Sequence, residues 1–164
     1  MQTIRCTLRP FVYDDSATIL SWLSDRRSFR LWSANRYKSF PATPDEMMNL
    51  YEGDGMHPMT MVEDGRVVGH LLIKQLSPDK SVVRFCFVIV DDALRGRGYG
   101  KELCHLAIRY AKNRLRAIEI NLGVFTDNHS ALECYKTIGF TATSRDSYMI
   151  DGEKWDGLEM TLQM

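Results

Sequence analysis

Short apolar runs alternate with polar breaks along the chain, and the spacing inside each run predicts its element. Ile4, Cys6 and Leu8 alternate with polar neighbours, which predicts a short strand ended by Pro10. Asp14-Asp15-Ser16 is a helix-start signal. Ala17, Ile19, Leu20, Trp22 and Leu23 then recur at helical spacing to about Ser24. A second helical piece covers Arg26 to Ser33. Thr43-Pro44-Asp45-Glu46 sets a capping hydroxyl before a proline at the first helical position, with acids in the first turn. That helix carries Met47, Met48, Leu50 and Tyr51 and stops at Gly53-Asp54-Gly55.

A hairpin follows, Met59 to Val62 and Val67 to Gln75, turning through Glu63-Asp64-Gly65-Arg66. Val82 to Val90 is the most apolar strand, mixed β-branched and aromatic, and is predicted to be central. After a loop from Asp91 to Gly98, Leu103, Leu106, Ala107, Tyr110 and Ala111 make an amphipathic helix to about Leu115. Ile118 to Phe125 reads as a strand. Asn128 opens a helix through Ala131, Leu132, Tyr135 and Ile138, ended by Gly139. Two last strands, about Thr141–Ile150 and Lys154–Leu162, meet at Asp151-Gly152. This order predicts an α/β (α+β) fold, one mixed sheet of about seven strands with helices on its faces.

Composition narrows the class. The 164 residues fit one domain, and 21 basic against 21 acidic residues leave no net charge. Such a chain has no overall attraction for nucleic acid or an anionic membrane. Cys6, Cys86, Cys104 and Cys134 form no CxxC pair, and His57, His70, His105 and His129 are scattered, so no metal site is expected. The start has no basic region leading into an apolar stretch. The longest strongly apolar run, Phe85 to Val90, is far below the ~20 residues of a membrane helix. The expectation is a cytoplasmic protein with reduced thiols. Zero net charge and nine methionines are compatible with a homodimer.

The chemistry concentrates between Val88 and Lys101. A buried strand feeds Arg95-Gly96-Arg97-Gly98-Tyr99-Gly100-Lys101, which opens a helix. Glycines at alternate positions let backbone N–H groups approach a ligand, and the helix N-terminus behind them favours an anion such as a diphosphate. The P-loop pattern fails, because Arg95 stands where its first glycine belongs and Glu102 where its Ser or Thr belongs. GxGxxG fails at Lys101. Arg-x-x-Gly-x-Gly fits as Arg95, Gly98 and Gly100.

With its preceding strand, this loop resembles the acyl-CoA loop of the GNAT acetyltransferases. Asn128, Ala131, Tyr135 and Gly139-Phe140 resemble the family's next motif, N-x-x-A-x-x-x-Y-x-x-x-G-F. Taken alone, Asn128 reads as a helix N-cap, Tyr135 as a core aromatic and Gly139 as a C-cap. Leu8-Arg9-Pro10, Asp15 and Leu20-x-Trp22-Leu23-x-Asp25 resemble the branch with ribosomal-protein and other N-terminal acetyltransferases. The resemblance implies one acyl-CoA N-acyltransferase domain over residues 1–164, with a mostly antiparallel sheet and no metal.

It further implies direct transfer of an acetyl group from acetyl-CoA to a primary amine of a small molecule or peptide. Arg95, Arg97 and Lys101, with the N–H groups of Gly96, Gly98 and Gly100, are then expected at the phosphates. Seven basic residues against one acid between Arg95 and Arg116 agree with that. Phe87, Val88 and Val90 are expected along the pantetheine arm, with a backbone N–H near Val88 polarising the thioester carbonyl. Asn128 is expected to contact the arm, and Tyr135 to protonate the leaving thiolate. Some relatives carry an acid in the central strand, but Val82 to Val90 contains none. The base is therefore water, a substrate carboxylate or Glu119, the last also readable as an exposed strand-edge acid. His70 and His129 read as structural.

The acceptor side is open. Acids at 43–64 and 146–159 suit a cationic amine or plain solvation. Arg26, Arg27, Arg30, Arg36 and Lys38, interleaved with Phe29, Trp32 and Tyr37, suit either an acidic acceptor or an amphipathic helix pair with Phe29 and Trp32 inward. Three rival readings stand beside acetyl transfer: use of another acyl-CoA, a non-catalytic acyl-CoA sensor, and a nucleic-acid module on Arg26–Lys38.

Overall fold

Asp64 and Gly65 both take positive φ, 50° and 77°, and close a hairpin between β2 (Met56–Glu63) and β3 (Arg66–Gln75). The computed structural model containing it describes residues 3–76 and 78–164, so Met1 and Gln2 of the start segment lie outside. The remaining strands are β1 (Thr7–Pro10), β4 (Val82–Val90), β5 (Glu119–Phe125), β6 (Thr141–Ile150) and β7 (Glu153–Gln163). They form one seven-stranded sheet in the order β1-β2-β3-β4-β5-β7-β6. Only the β4–β5 pair is parallel, so the sheet is mixed and mostly antiparallel, as expected.

Period-two alternation sends neighbouring side chains to opposite faces. Leu71 and Ile73 face α4 (Tyr99–Leu115) and α5 (His129–Ile138), joining Val83, Phe85, Leu103, Ala107, Ile120 and Leu122 in one core. Leu72 and Ile89 face the other way, toward Ile19 of α1 (Asp15–Ser21), Phe29 of α2 (Arg26–Ser33) and Met47 of α3 (Pro44–Leu50). Burying each large side chain contributes roughly 1.5–3 kcal/mol. The Thr43 cap is the one the sequence predicts, whereas Asp14 makes no side-chain cap bond to α1. Asp25 accepts from the Ser28 N–H at 2.8 Å, and Thr43 with Glu46 forms a reciprocal capping box.

Two strand ends depart from expectation. β1 begins at Thr7 rather than Ile4, because Thr7 already pairs with Val62 and β2 turns back just beyond. Ile4 and Cys6 still pack half-buried on the α4 core. β2 begins at Met56, upstream of Pro58. The β1 ladder ends at Pro10–Met59; beyond it the Pro58 carbonyl still accepts from the Phe11 N–H at 2.9 Å, and the missing proline N–H falls at the frayed end of the pairing.

Candidate functional site

β4 and β5 pair only from Val82–Glu119 to Phe85–Leu122. Beyond that point they diverge. On its other side β4 carries a β-bulge. Cys86 pairs with Leu72 and Ile89 with His70, so Phe87 and Val88 together oppose Leu71. Phe87 takes φ 55° to make the bend. The sequence signal of an unbroken apolar strand did not reveal this. The bulge turns the backbone around Val88 toward the gap between the parallel strands, at the end where α4 and α5 begin.

A cavity of about 430 Å³ fills one side of that gap. Val88, Val90, Leu94, Arg95, Gly96, Gly98, Gly100, Lys101, Asn128 and Tyr135 all line it, so most of the expected site residues meet there. Arg97 is exposed and does not line it, and Phe87 turns to a second cavity described below. Gly96 and Gly98 take φ 74° and 88°, a left-handed conformation that larger side chains rarely adopt. A Cβ built on Gly96 or Gly100 meets nothing within 4 Å. The loop thus ends in an open, amide-lined bend at the N-terminus of a 17-residue helix, with Arg95 and Lys101 beside it. That donor set fits a diphosphate. The unpaired stretch of β4 past Phe85 fits an extended arm along its backbone.

Tyr135 is 6% exposed and lies edge-on to Phe140, with ring centroids 5.8 Å apart. Burial holds its phenol protonated well above the ordinary tyrosine range, with Cys104 and Cys134 adding to the effect. Those two thiols also line the cavity. Cys104 shares a hydrogen bond with Cys134, which lowers the Cys134 thiol against its own burial, helped by Lys101. Neither thiol was singled out from sequence, since helical spacing hides which α4 and α5 positions face one another. Asn128 precedes α5 but makes no side-chain cap bond to it.

The second cavity, about 270 Å³, lies on the other side of the same gap. Trp32, Val88, Asn128 and Tyr135 belong to both linings, so the two spaces meet at the bulge. Phe87 packs its ring 5.1 Å from that of Trp32 at this junction. Arg36, Lys74, Arg84 and Glu159 are the charged residues of the second lining.

The other candidates are accounted for elsewhere. Glu119 starts β5 at the far end of the sheet, pairs with Val82, and accepts from the Gln163 side chain at 2.8 Å. It lines neither cavity and sits half-buried at the start of an interior strand. His70 is fully buried. Its Nδ1–H donates to the Met59 carbonyl at 2.8 Å and its Nε2 accepts from the Tyr51 hydroxyl at 2.6 Å. Burial drives its pKa down to about 3, so it stays a neutral structural group. His129 is exposed on α5.

Most of the basic stretch is spent on packing. Arg30 is 4% exposed and bonds Asp151 at 2.9 Å, Arg26 approaches the same carboxylate, and Arg27 pairs with Asp127 at 2.9 Å. Phe29 is buried and Trp32 turns inward, which is the helix-packing reading. Three of the five acids of 146–159 are spent similarly: Asp151 on Arg30, Asp156 on Arg145 and Glu159 on Arg84. Among the described residues no group of three His, Cys, Asp or Glu is gathered to hold a metal, and no helix is long and apolar enough to cross a membrane.

Comparison with known proteins gives a consistent picture. The model of the acetyltransferase (GNAT) family matches residues 19–140. The L-amino acid N-acetyltransferase AaaT of Escherichia coli (strain K12) is 34% identical over 114 residues, covering 68% of this chain and 70% of that protein. A solved spermidine N-acetyltransferase from Vibrio cholerae, in complex with CoA and spermine, superposes with a TM-score of 0.81. It is 21% identical, over 96% of this chain and 95% of that one. The ribosomal-protein-S18-alanine N-acetyltransferase from Escherichia coli superposes with a TM-score of 0.71 at 16% identity, over 97% and 94% of the two chains.

Proposed function

The chain belongs to the GNAT acetyltransferase family, and from that premise we propose that it transfers an acetyl group from acetyl-CoA directly to a primary amine. The single observation that carries this reading is the meeting of two cavities at Trp32, Val88, Asn128 and Tyr135. The first suits a phosphate-bearing arm and the second an acceptor, so the two substrates approach one point from opposite sides. Direct attack needs that arrangement.

Acetyl-CoA supplies the reactive thioester. The N–H groups around Gly96, Gly98 and Gly100, with Arg95 and Lys101, bind its diphosphate. The β4 backbone past the bulge orients the arm, and a backbone N–H at Val88 polarises the carbonyl. Losing one such donor typically lowers the rate 10²–10³-fold. The Tyr135 phenol, kept protonated by burial, donates its proton to the departing sulfur. Glu159 is the one carboxylate lining the acceptor side, and it is held by Arg84 at 2.6 Å. Water in the open cavity therefore takes the proton of the amine.

Thermal shifts with CoA, acetyl-CoA and ATP test the first cavity, and thiol release from acetyl-CoA across a panel of amines tests the transfer. CoA and acetyl-CoA are expected to raise Tm and at least one amine to release thiol. Stabilisation by ATP alone overturns the loop assignment. Stabilisation by CoA with no thiol release leaves a binding protein rather than an enzyme.

A further inference from the structure

The second cavity carries more positive charge than its own carboxylate neutralises. Arg36, Lys74 and Arg84 line it against Glu159 alone. Glu159 is fully committed to Arg84, its two oxygens accepting at 2.6 and 3.0 Å, while Arg84 also donates to Asn121 at 2.8 Å. Among the described residues neither Arg36 nor Lys74 has an ion-pair partner. Lys74 stands directly opposite Arg84 across the β3–β4 ladder, a pairing of like charges that disfavours the sheet unless an anion sits over it.

The three cations line the same cavity as Cys86. Cys86 lies two residues beyond Arg84 on the same face of β4. Burial raises its thiol pKa, and Arg84, Arg36 and Lys74 all pull against that rise. The rest of the lining is largely uncharged, with Trp32, Phe87, Phe125 and Tyr148 as aromatic walls.

We propose that the acceptor is an amine bearing its own carboxylate, an amino acid rather than a polyamine, with Lys74 and Arg36 as the residues that hold the carboxylate. This rests on the acyl-transfer reading above and names the substrate class for the same site. Held by those two cations, the acceptor directs its amino group toward Val88 and Tyr135 and lays an uncharged side chain against Trp32 and Phe87. A polyamine brings further positive charge to a wall that already has an excess of it, with no free carboxylate in the lining to receive it.

The test compares L-leucine, L-leucinamide and spermidine as acceptors with the full chain. Thiol release gives kcat and KM, and calorimetric titration into the CoA-loaded protein gives binding directly. L-leucine is expected to exceed the amide by about 10- to 100-fold in kcat/KM, with spermidine lowest. Lys74→Met and Arg36→Ala are expected to raise the KM for L-leucine by a similar factor and to leave its kcat close to wild type. Lys74→Arg should restore most of the affinity, which a merely structural lysine has no reason to show.

A preference for the amide or for spermidine overturns the assignment, as does an L-leucine KM unmoved by both substitutions. If no amine releases thiol, the transfer reading has failed. The calorimetric arm then decides this proposal alone, and absence of Lys74-dependent L-leucine binding ends it.

Discussion

Arg84 on β4 and Glu159 on β7 clasp one another at 2.6 Å across the intervening strand β5, over the bare backbone of Gly123. A Cβ on Gly123 meets Glu159 Oε2 at 2.8 Å and Arg84 Nη2 at 2.9 Å. The missing side chain is therefore what lets an ion pair cross the sheet face, and the pair forms part of the wall of the acceptor-side cavity.

Gly123→Ala is expected to displace that pair without unfolding the protein. Both contacts fall on the tips of flexible side chains, so the pair yields and Tm falls by no more than about 2–4 °C, the equivalent of about 1 kcal/mol. Gly123 does not line the first cavity, so stabilisation by CoA is retained while the acceptor KM rises several-fold. Thermal shift and steady-state kinetics on one preparation check both halves. Loss of CoA stabilisation would contradict the separation of the two cavities.

The acceptor amine sets the rising limb of the pH profile, and Tyr135 adds no falling limb near neutrality. With water as the base, kcat/KM is expected to rise about tenfold per pH unit above neutrality, toward the pKa of the acceptor amine itself. Burial holds the phenol protonated well above its ordinary range, so no falling limb appears up to about pH 10. Tyr135→Phe should lower kcat by about 10²-fold and keep the CoA-induced shift in Tm. An unchanged kcat removes Tyr135 as the proton donor.

His70 ties stability to acid. Its imidazole pKa is depressed to about 3 in the fold, against about 6.5 in the unfolded chain. The neutral ring is stabilising above the unfolded value, and that contribution is lost as pH falls from about 6.5, at about 1.4 kcal/mol per unit. Urea midpoints between pH 7.5 and 5 should decline accordingly. The most direct check is the His70 ring resonance, which should not titrate above pH 5; a midpoint near 6 is the contrary result.

Cys134 should be the most reactive thiol of the four. The Cys104 hydrogen bond lowers its pKa, its partial burial opposes that, and Lys101 adds to the lowering; thiolate is the form that alkylates. Iodoacetamide at pH 7.5 is expected to label Cys134 several-fold faster than Cys86, whose thiol burial pushes up, or Cys104, whose thiol its neighbour Cys134 and burial push up. Saturating CoA should protect it, since Cys134 lines the first cavity. Peptide mapping by mass spectrometry reads both effects, and equal labelling with and without CoA argues against a ligand there.

Much of the cofactor side was legible in the sequence because its signals are local. Gly96, Gly98 and Gly100 follow a strand and open a helix, and those neighbours decide the shape of the loop whatever the rest of the chain does. The Thr43–Glu46 capping box and the Asp64-Gly65 turn are equally short-range. The acceptor side was not legible in the same way. Nothing near Lys74 in sequence announces Arg84 or Arg36, and the acids near Glu159 suit solvation as well as pairing.

Residue order alone determined the elements, the seven strands, the glycine loop and the Asn128–Tyr135 motif. Each is set by backbone preference and apolar period over a few neighbouring residues. Folding decided the bulge at Phe87, the divergence of β4 from β5, and which charges remain unspent. A charge is spent only when its partner arrives, and the partners of Arg30 and Arg84 come from a turn and a strand far along the chain. Strand pairing sets those distances, so the surplus at Lys74 and Arg36 exists only once the sheet has closed.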